Sequence, residues 1–574
     1  MARRSAAHFL LEGLTELGVD YLFCNLGTDH APLIEEMARW DQGNRRRPPA
    51  IVCPHENVAV HMAGGYAIAT GRGQAVLVHV DAGTANAAMA LHNLCRGRIP
   101  VFVMAGRAPF TTRNEMLGSR DTYVHFIQDP YDIGSIVRPY TKWEYGLPSG
   151  IVAKELLSRG HAMMQSDPQG PVFMTLPREI LADSVEEEQV HSFPPARHGP
   201  VRAGGADPEV AKAIAQRLMA AENPIAFCGY LGRRADAVAA LDALAREAGI
   251  RVVSHFPVHM NCPADSPCFA GFDPGPLLAE VDCGLLLDTD VPWVPANTPE
   301  RPETFWIQVD VDAAKAGLPI WNFPGDIRVQ ADCATVLRQV LEAVRALADD
   351  AFRAKVTARI EGWAPSRAAR LRKLAQQAAD PGEPDALGVP FLLAAIARRI
   401  GPADIVVNEA IRNGKLVEDH IPRTLPGSFV GFAGGGLGFS GGVALGLKLA
   451  RPEARIIQVV GDGSFHFSAP DSVYAVAQTH GLPILTIVLD NRGWAAVKEA
   501  TRRVYPGGVA AEREAWMARL DARGERRFEE VARAFGAHGE RVTRAEELEA
   551  ALDRCLAALD RGQAAVLTAR VTPL

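Results

Sequence analysis

Short apolar runs recur along the whole chain, and each is followed by a stretch with helical spacing. Ala75-Val-Leu-Val, Ile99-Pro-Val-Phe-Val and Pro171-Val-Phe-Met-Thr-Leu stand in the first third. Pro224-Ile-Ala-Phe-Cys, Cys283-Gly-Leu-Leu-Leu and Phe305-Trp-Ile-Gln-Val follow in the middle, and Asp404-Ile-Val-Val, Arg455-Ile-Ile-Gln-Val-Val and Ile484-Leu-Thr-Ile-Val-Leu in the last third. A short apolar run bounded by turn-forming residues reads as a strand buried on both faces. Strands separated by helices join as parallel neighbours with helices on both sides of the sheet. The expected fold class is therefore α/β, with three doubly wound parallel-sheet domains. A chain of 574 residues is too long for one core. The polar and Pro/Gly-rich stretches at 186–205 and near Asp380 read as linkers, which sets the expected domains at 1–185, 206–350 and 386–574.

Bulk properties exclude several classes. Both charge signs are interspersed around a net charge of −7, so no polyanion-binding surface is expected and no nucleic-acid partner. No apolar run reaches the length of a membrane span. The nine cysteines are scattered, without a C-x-x-C pair, and read as reduced thiols of a cytoplasmic protein. Glu12 and Glu16 interrupt what would be the apolar core of a signal segment, so the N-terminus reads as an amphipathic helix.

Two strand ends carry the most specific chemistry. Arg455-Ile-Ile-Gln-Val-Val ends in Gly461-Asp462-Gly463-Ser464, and Ile484 to Leu489 ends in Asp490-Asn491. The two glycines are expected to let the backbone turn sharply at a ligand. Open α/β sheets bind ligands at the carboxyl ends of their strands. Adjacent parallel strands would then present Asp462 and Asn491 side by side. With a nearby backbone carbonyl, here assigned to Gly493, they form a hard oxygen set suited to Mg2+ carrying a diphosphate.

Gly461-Asp462-Gly463-Ser464 followed by Asp490-Asn491 resembles the signature of the thiamine diphosphate (ThDP) enzymes, in the branch that holds acetolactate synthase, benzoylformate decarboxylase and benzaldehyde lyase. The interval between the two motifs is about two residues longer than the family pattern, and the extra residues fall near Thr479-His-Gly. Three further stretches agree, so the resemblance covers nearly the whole chain. His55-Glu56-Asn57 opens an apolar, Gly-rich helix. The resemblance makes Glu56 the acid that hydrogen-bonds the cofactor's pyrimidine ring; without it, Glu56 reads as a helix-start residue stabilised by the dipole. Gly431-Phe-Ala-Gly434-Gly435-Gly436-Leu437-Gly438 implies a close cofactor approach, with the Gly435 carbonyl accepting from the cofactor amine and Leu437 wedged beneath it. Asn408-Glu-Ala-Ile411-Arg412-Asn413-Gly414 reads as an anion nest for the diphosphate. Asn408, Arg412, Gly463 and Ser464 are its candidate contacts, although Ile411 and Arg412 depart from the small hydroxyl residues of relatives.

His79 ends an apolar strand before Gly83-Thr84-Ala-Asn86, read as a turn. Taken alone it is a core histidine. The resemblance to benzoylformate decarboxylase makes it an acid/base, with Gly83, Thr84 and Asn86 shaping the cofactor pocket. The loop Gly27-Thr28-Asp29-His30 aligns with a family loop that reaches the substrate, although Leu26 stands where relatives have Pro; Asp29 and His30 could equally form a surface turn. Gln128 resembles a glutamine of acetolactate synthase and benzaldehyde lyase that donates to the bound intermediate. Trp494 reads either as a wall of the substrate mouth or as core, and Asp290-Val-Pro-Trp293-Val-Pro as a rigid loop facing the site.

The resemblance implies a ThDP- and Mg2+-dependent enzyme that breaks or makes a C–C bond on a 2-oxo acid or 2-hydroxy ketone, of the decarboxylase/lyase type. An acetolactate-synthase-type carboligase is the alternative within the class. Outside it stand a nucleotide-dependent oxidoreductase using Gly434–Gly438 and a ThDP-fold protein without turnover. No arginine-rich segment like those that bind flavin is present, which weighs against FAD. The family's cofactor lies between subunits, so a homodimer or homotetramer acting on a small carbonyl substrate is expected.

Overall fold

The computed structural model describes residues 2–516 and 526–572; Met1, 517–525 and 573–574, which fall within the expected domain bounds, lie outside the described residues. Three six-stranded parallel sheets organise the chain. The first runs in the order Ala50–Val52, Leu22–Cys24, Gln74–Val78, Val101–Arg107, Val172–Pro177, Glu144–Gly146. The second runs Phe269–Gly271, Arg251–Ser254, Pro224–Cys228, Cys283–Leu287, Phe305–Asp310, Ile327–Gln330. The third runs Phe429–Val430, Ile405–Glu409, Ile456–Gly461, Leu485–Asp490, Ala565–Arg570, His538–Val542. The interior strands are mainly apolar on both faces because helices cover both, and their apolar residues form the cores.

In each sheet the chain starts inside, moves to one edge, then crosses back to the other side. The reversal leaves a crevice at the carboxyl ends of two neighbouring strands. In the first sheet these are Leu22–Cys24 and Gln74–Val78, which deliver the 25–30 loop and His79 to one place. In the third they are Ile405–Glu409 and Ile456–Gly461. Leu485–Asp490 lies beside Ile456–Gly461 with Gly461 opposite Leu489, so Asp462 and Asp490 leave the sheet abreast.

The first and third sheets meet through the helices Glu56–Thr70 and Ser440–Ala450. Glycines permit backbone contact there: a Cβ on Gly65 would lie 2.3 Å from the Val443 carbonyl oxygen, and one on Gly446 would lie 2.0 Å from that of Met62. In the central sheet the equivalent crevice is filled from outside. Arg98, at the end of the helix Val80–Arg96, donates to Asp310 at 2.8 Å and Asp290 at 2.9 Å and stacks 4.8 Å over Tyr230. Lys315 closes the cluster on Asp290 at 2.7 Å. Asp290 is thus held in this inter-domain ion cluster, and Trp293 is fully buried against Trp306 at 4.7 Å. Of the loop expected to face the site, Asp290 and Trp293 thus serve the central domain, while Val291 and Val294 are exposed.

Other sequence expectations are revised. The stretch read as a linker at 186–205 follows a strand, Ser184–Glu186, which is paired antiparallel to Arg3–Ser5 and shares only Glu186 with it. That read near Asp380 contains a two-residue pairing, Gly382–Glu383 with Ala386–Leu387, after a 29-residue helix, Asp350–Ala378. No described helix is long and apolar enough to cross a membrane.

Candidate active site

Glu56 is the first residue of its helix and is buried, although acids at helix starts are ordinarily solvated. Two amides hold it: Asn25 Nδ2 donates to Oε1 at 2.9 Å and Asn86 Nδ2 to Oε2 at 3.0 Å. Asn86 comes from the helix Val80–Arg96, so the Gly83-Thr84-x-Asn86 segment is helical and not the expected turn. Its backbone departs from helical geometry at Val80, whose φ of +30° is unfavourable for a β-branched residue. The Val80 N–H points at Asp29 Oδ2, 3.3 Å away.

Asp29 is the centre of a second cluster. It is buried, and its Oδ1 lies 2.6 Å from His79 Nδ1. Burial pushes its carboxyl up, but the hydrogen bond from His79 and the His30 and His79 charges outweigh that and hold it below the usual range. The same hydrogen bond raises the His79 imidazole against a smaller opposing effect of burial, with the Gln128 side chain adding to the rise. His30 is fully buried, which lowers it, and its Nδ1 accepts from the Gly27 N–H at 3.0 Å. Thr28 Oγ1 lies 3.3 Å from His125 Nε2. Two glycines make room for the pair: a Cβ on Gly27 would lie 2.0 Å from His79 Nδ1, and one on Gly106 would lie 1.5 Å from Asp29 Oδ2. Thr28, Asp29, His30, His79 and Gln128, scattered in sequence, are thereby gathered at one crevice, and the surface-turn reading of Asp29 and His30 falls away.

The loop 434–438 rests on the first sheet's helices in the same chain. Asn93 accepts from the Gly436 N–H at 3.0 Å and donates to the Gly436 carbonyl at 2.8 Å, and Asn57 donates to the Gly438 carbonyl at 3.2 Å. Gly435 and Gly438 have φ of +87° and +95°, so glycine is required at both. Glu409, at the tip of Ile405–Glu409, ties the far end of this loop by accepting from the N–H groups of Gly438 and Ser440. Burial raises its carboxyl to about 7, outweighing those hydrogen bonds. Glu409 was not among the expected site residues, although an acid at the end of an apolar strand run stands where such sheets bind ligands. The Ser440 hydroxyl also donates to Glu409, and Gln458, Thr486 and Tyr474 continue the buried polar chain.

Asn408 is used within its own turn, donating to the Gly414 carbonyl at 3.1 Å and accepting from the Ala410 N–H at 3.1 Å. Arg412 pairs with Glu499. A cavity of about 370 Å³ lies beside them, with Phe256, Glu409, Ile411 and Phe432 among its walls.

Asp462 opens the helix Asp462–Phe467, which also buries Ser464. Neither Gly461 nor Gly463 has a positive φ, so the expected sharp turn is absent. Gly463 is required for space instead, because a Cβ there would lie 2.7 Å from the Trp494 ring. Trp494 is 38% exposed and covers this turn, so it is not core. Asp462 Oδ1 accepts from the Gly463 N–H at 2.8 Å, and Oδ2 accepts from the Gly493 N–H at 3.0 Å and from Arg526 at 2.9 Å. The Gly493 carbonyl accepts from the Ala495 N–H at 3.1 Å. Burial lifts Asp462 to about 6; Arg526 opposes the rise and the Asp490 charge adds to it. Asn491 Oδ1 is buried without a hydrogen-bond partner. A buried oxygen of this kind is destabilising unless something binds it, and beside a buried carboxylate it fits a hard divalent cation. Gly435 and Gly461 meet no atom within 4 Å where a Cβ would point, so the space beside the glycine loop and the Gly461-Asp462 strand end is open to a ligand.

Comparison with known proteins agrees with this geometry. Residues 4–135 match the thiamine pyrophosphate enzyme N-terminal TPP binding domain, 211–340 the central domain, and 414–569 the C-terminal TPP binding domain of the same enzymes. The chain belongs to the thiamine diphosphate-dependent enzymes. Within that family it is of the decarboxylase/lyase or carboligase kind. It is 25% identical to benzoylformate decarboxylase of Pseudomonas aeruginosa over 95% of this chain and 96% of that protein. It is 22% identical to the acetolactate synthase large subunit of Haemophilus influenzae over 96% of this chain and 92% of that one. The Rhodococcus jostii RHA1 thiamine diphosphate-dependent 4-hydroxybenzoylformate decarboxylase shares the fold, with a TM-score of 0.78 at 20% identity over 99% of each chain.

Proposed function

We propose that this chain is a 2-oxo acid decarboxylase that uses Mg2+ with its thiamine diphosphate and works as a cytoplasmic homo-oligomer, a dimer or tetramer with sites between subunits. The observation that carries the decarboxylase reading is the Asp29–His79 pair at the first sheet's crevice. The benzoylformate decarboxylase relative supports the same reading.

When bound, thiamine diphosphate supplies a carbon nucleophile for the substrate carbonyl and accepts the electron pair released by C–C cleavage. Asp462 and Asn491 would hold the metal, with Gly463, Ser464 and the 408–414 turn around the diphosphate. Leu437 and the Gly435 carbonyl would support the cofactor, and Glu56, oriented by Asn25 and Asn86, would serve its pyrimidine ring. His79 is the group that moves a proton at the substrate oxygen. Asp29 fixes its tautomer and keeps it protonated to higher pH, so it can act as an acid near neutrality. Gln128 and Thr28 would orient the substrate beside it.

Gln128 favours a second reading, a carboligase of the acetolactate synthase type, because its side chain lies by His79 where a second carbonyl would need orienting. The test is a panel of 2-oxo acids, aryl (benzoylformate) and alkyl (pyruvate), given with thiamine diphosphate and Mg2+ and followed by product mass. An aldehyde one CO2 lighter than a single substrate is expected. Condensed products without free aldehyde would replace the first reading with the second, and no turnover would refute both.

A further inference from the structure

Arg526 reaches the metal turn from 64 residues beyond Asp462. One of its terminal nitrogens, Nη2, donates to Asp462 Oδ2 at 2.9 Å and to Asp490 Oδ1 at 2.6 Å. The three side chains are 14%, 2% and 4% exposed, so both carboxylates are desolvated and the guanidinium nearly so. Among the described residues no other cation pairs with either acid. Two carboxylates on adjacent strand tips repel one another, and a cation between them offsets that repulsion. A divalent ion held by Asp462 and Asn491 would occupy the same neighbourhood and perform the same neutralisation. Arg526 also uses a lone pair on Asp462 Oδ2, an oxygen already accepting from Gly493, while Oδ1 accepts from Gly463. Both lone pairs of Oδ2 are thus engaged, so Asp462 can offer that oxygen to a metal only by giving up one of its two N–H donors, while Oδ1 keeps one lone pair. Of its three donors, Arg526 is the one that belongs to a movable side chain, and its second terminal nitrogen, Nη1, is buried without a partner.

We propose that Arg526 is the resident counter-ion of the metal loop: it holds Asp462 and Asp490 in the cofactor-free chain, and the divalent metal displaces it on binding. The inference rests on the assignment of Asp462 and Asn491 as metal ligands. It makes Arg526 a competitor that weakens metal affinity while stabilising the cofactor-free chain.

The test is Mn2+ binding, read by electron paramagnetic resonance at saturating thiamine diphosphate, for the wild type, Arg526→Gln and Arg526→Lys. Melting of each chain in a chelator is measured alongside. Arg526→Gln is expected to bind Mn2+ about tenfold more tightly, the factor that loss of one competing charge-assisted hydrogen bond corresponds to. Its chelated form is expected to melt below the wild type's, with Arg526→Lys between the two. Mn2+ affinity unchanged or weakened in Arg526→Gln overturns the proposal. Should that chain not fold, Arg526→Lys decides in the same way. A wild type that binds no Mn2+ refutes the metal-ligand assignment itself, whereas a wild type that binds alongside an indifferent variant refutes only the role of Arg526.

Discussion

Glu409 offers a quantitative test of how the glycine loop is held. It is about 1% exposed and accepts from Gly438 and Ser440, yet burial lifts its carboxyl from 4.5 to about 7. Its folded pKa lies above its unfolded one, so its stabilising contribution is complete below pH 4.5 and is lost as pH rises through about 7. A difference of that size corresponds to on the order of 3 kcal/mol between the ends of the window. Glu409→Gln removes the titration and retains one acceptor oxygen. Asp462, raised to about 6, and Glu418, raised to about 8, titrate in the same range, so only the difference between the two chains isolates Glu409. A chain of three sheets need not unfold in one step, so the readout is local: hydrogen exchange of the Gly438 and Ser440 amides from pH 4.5 to 8.5, corrected for intrinsic rates. Wild-type protection should fall across the window by on the order of a hundredfold, and the Gln chain should stay nearly flat. Equal slopes in the two chains would refute the claim that a buried carboxyl sets this loop's stability.

Asp29→Asn removes the partner that raises His79, so the His79 ring signal in NMR, and the pH–rate limb it governs, should both move to lower pH; an unmoved titration would dissociate the pair. His79→Ala should lower kcat by about a hundredfold or more if it is the proton-transfer group, checked by steady-state kinetics on the best 2-oxo acid. Gly106→Ala places a methyl 1.5 Å from Asp29 Oδ2 and should destabilise the chain by roughly 1–3 kcal/mol while reproducing the Asp29→Asn titration shift, both measurable in one variant.

The interior of each sheet was legible because a strand covered on both faces is largely apolar. The edges were not. Glu144–Gly146, Ile327–Gln330 and His538–Val542 pair on one side only, and their polar residues break the apolar run that identifies a strand. The strand-end positions of Asp462 and Asn491 were legible because each apolar run stops just before them. The partners of those residues were not. Asp29 and His79 are 50 residues apart and meet because their strands are sheet neighbours, while Arg526 reaches Asp462 across 64. Gly463 was read as freedom to turn, whereas it, like Gly27 and Gly106, serves by lacking a Cβ, against Trp494, His79 and Asp29 respectively. That requirement depends on what packs opposite, which spacing along the chain does not encode.

Glu56, held by Asn25 and Asn86, is expected to activate a thiamine ring bound between subunits of this protein. The most direct measurement of that role is hydrogen–deuterium exchange at the thiazolium C2 of thiamine diphosphate bound to wild type and to Glu56→Gln, with cofactor occupancy determined in the same samples. Fast exchange is expected in the wild type and exchange slowed by orders of magnitude in the variant at comparable occupancy; equal rates in the two would contradict that role of Glu56.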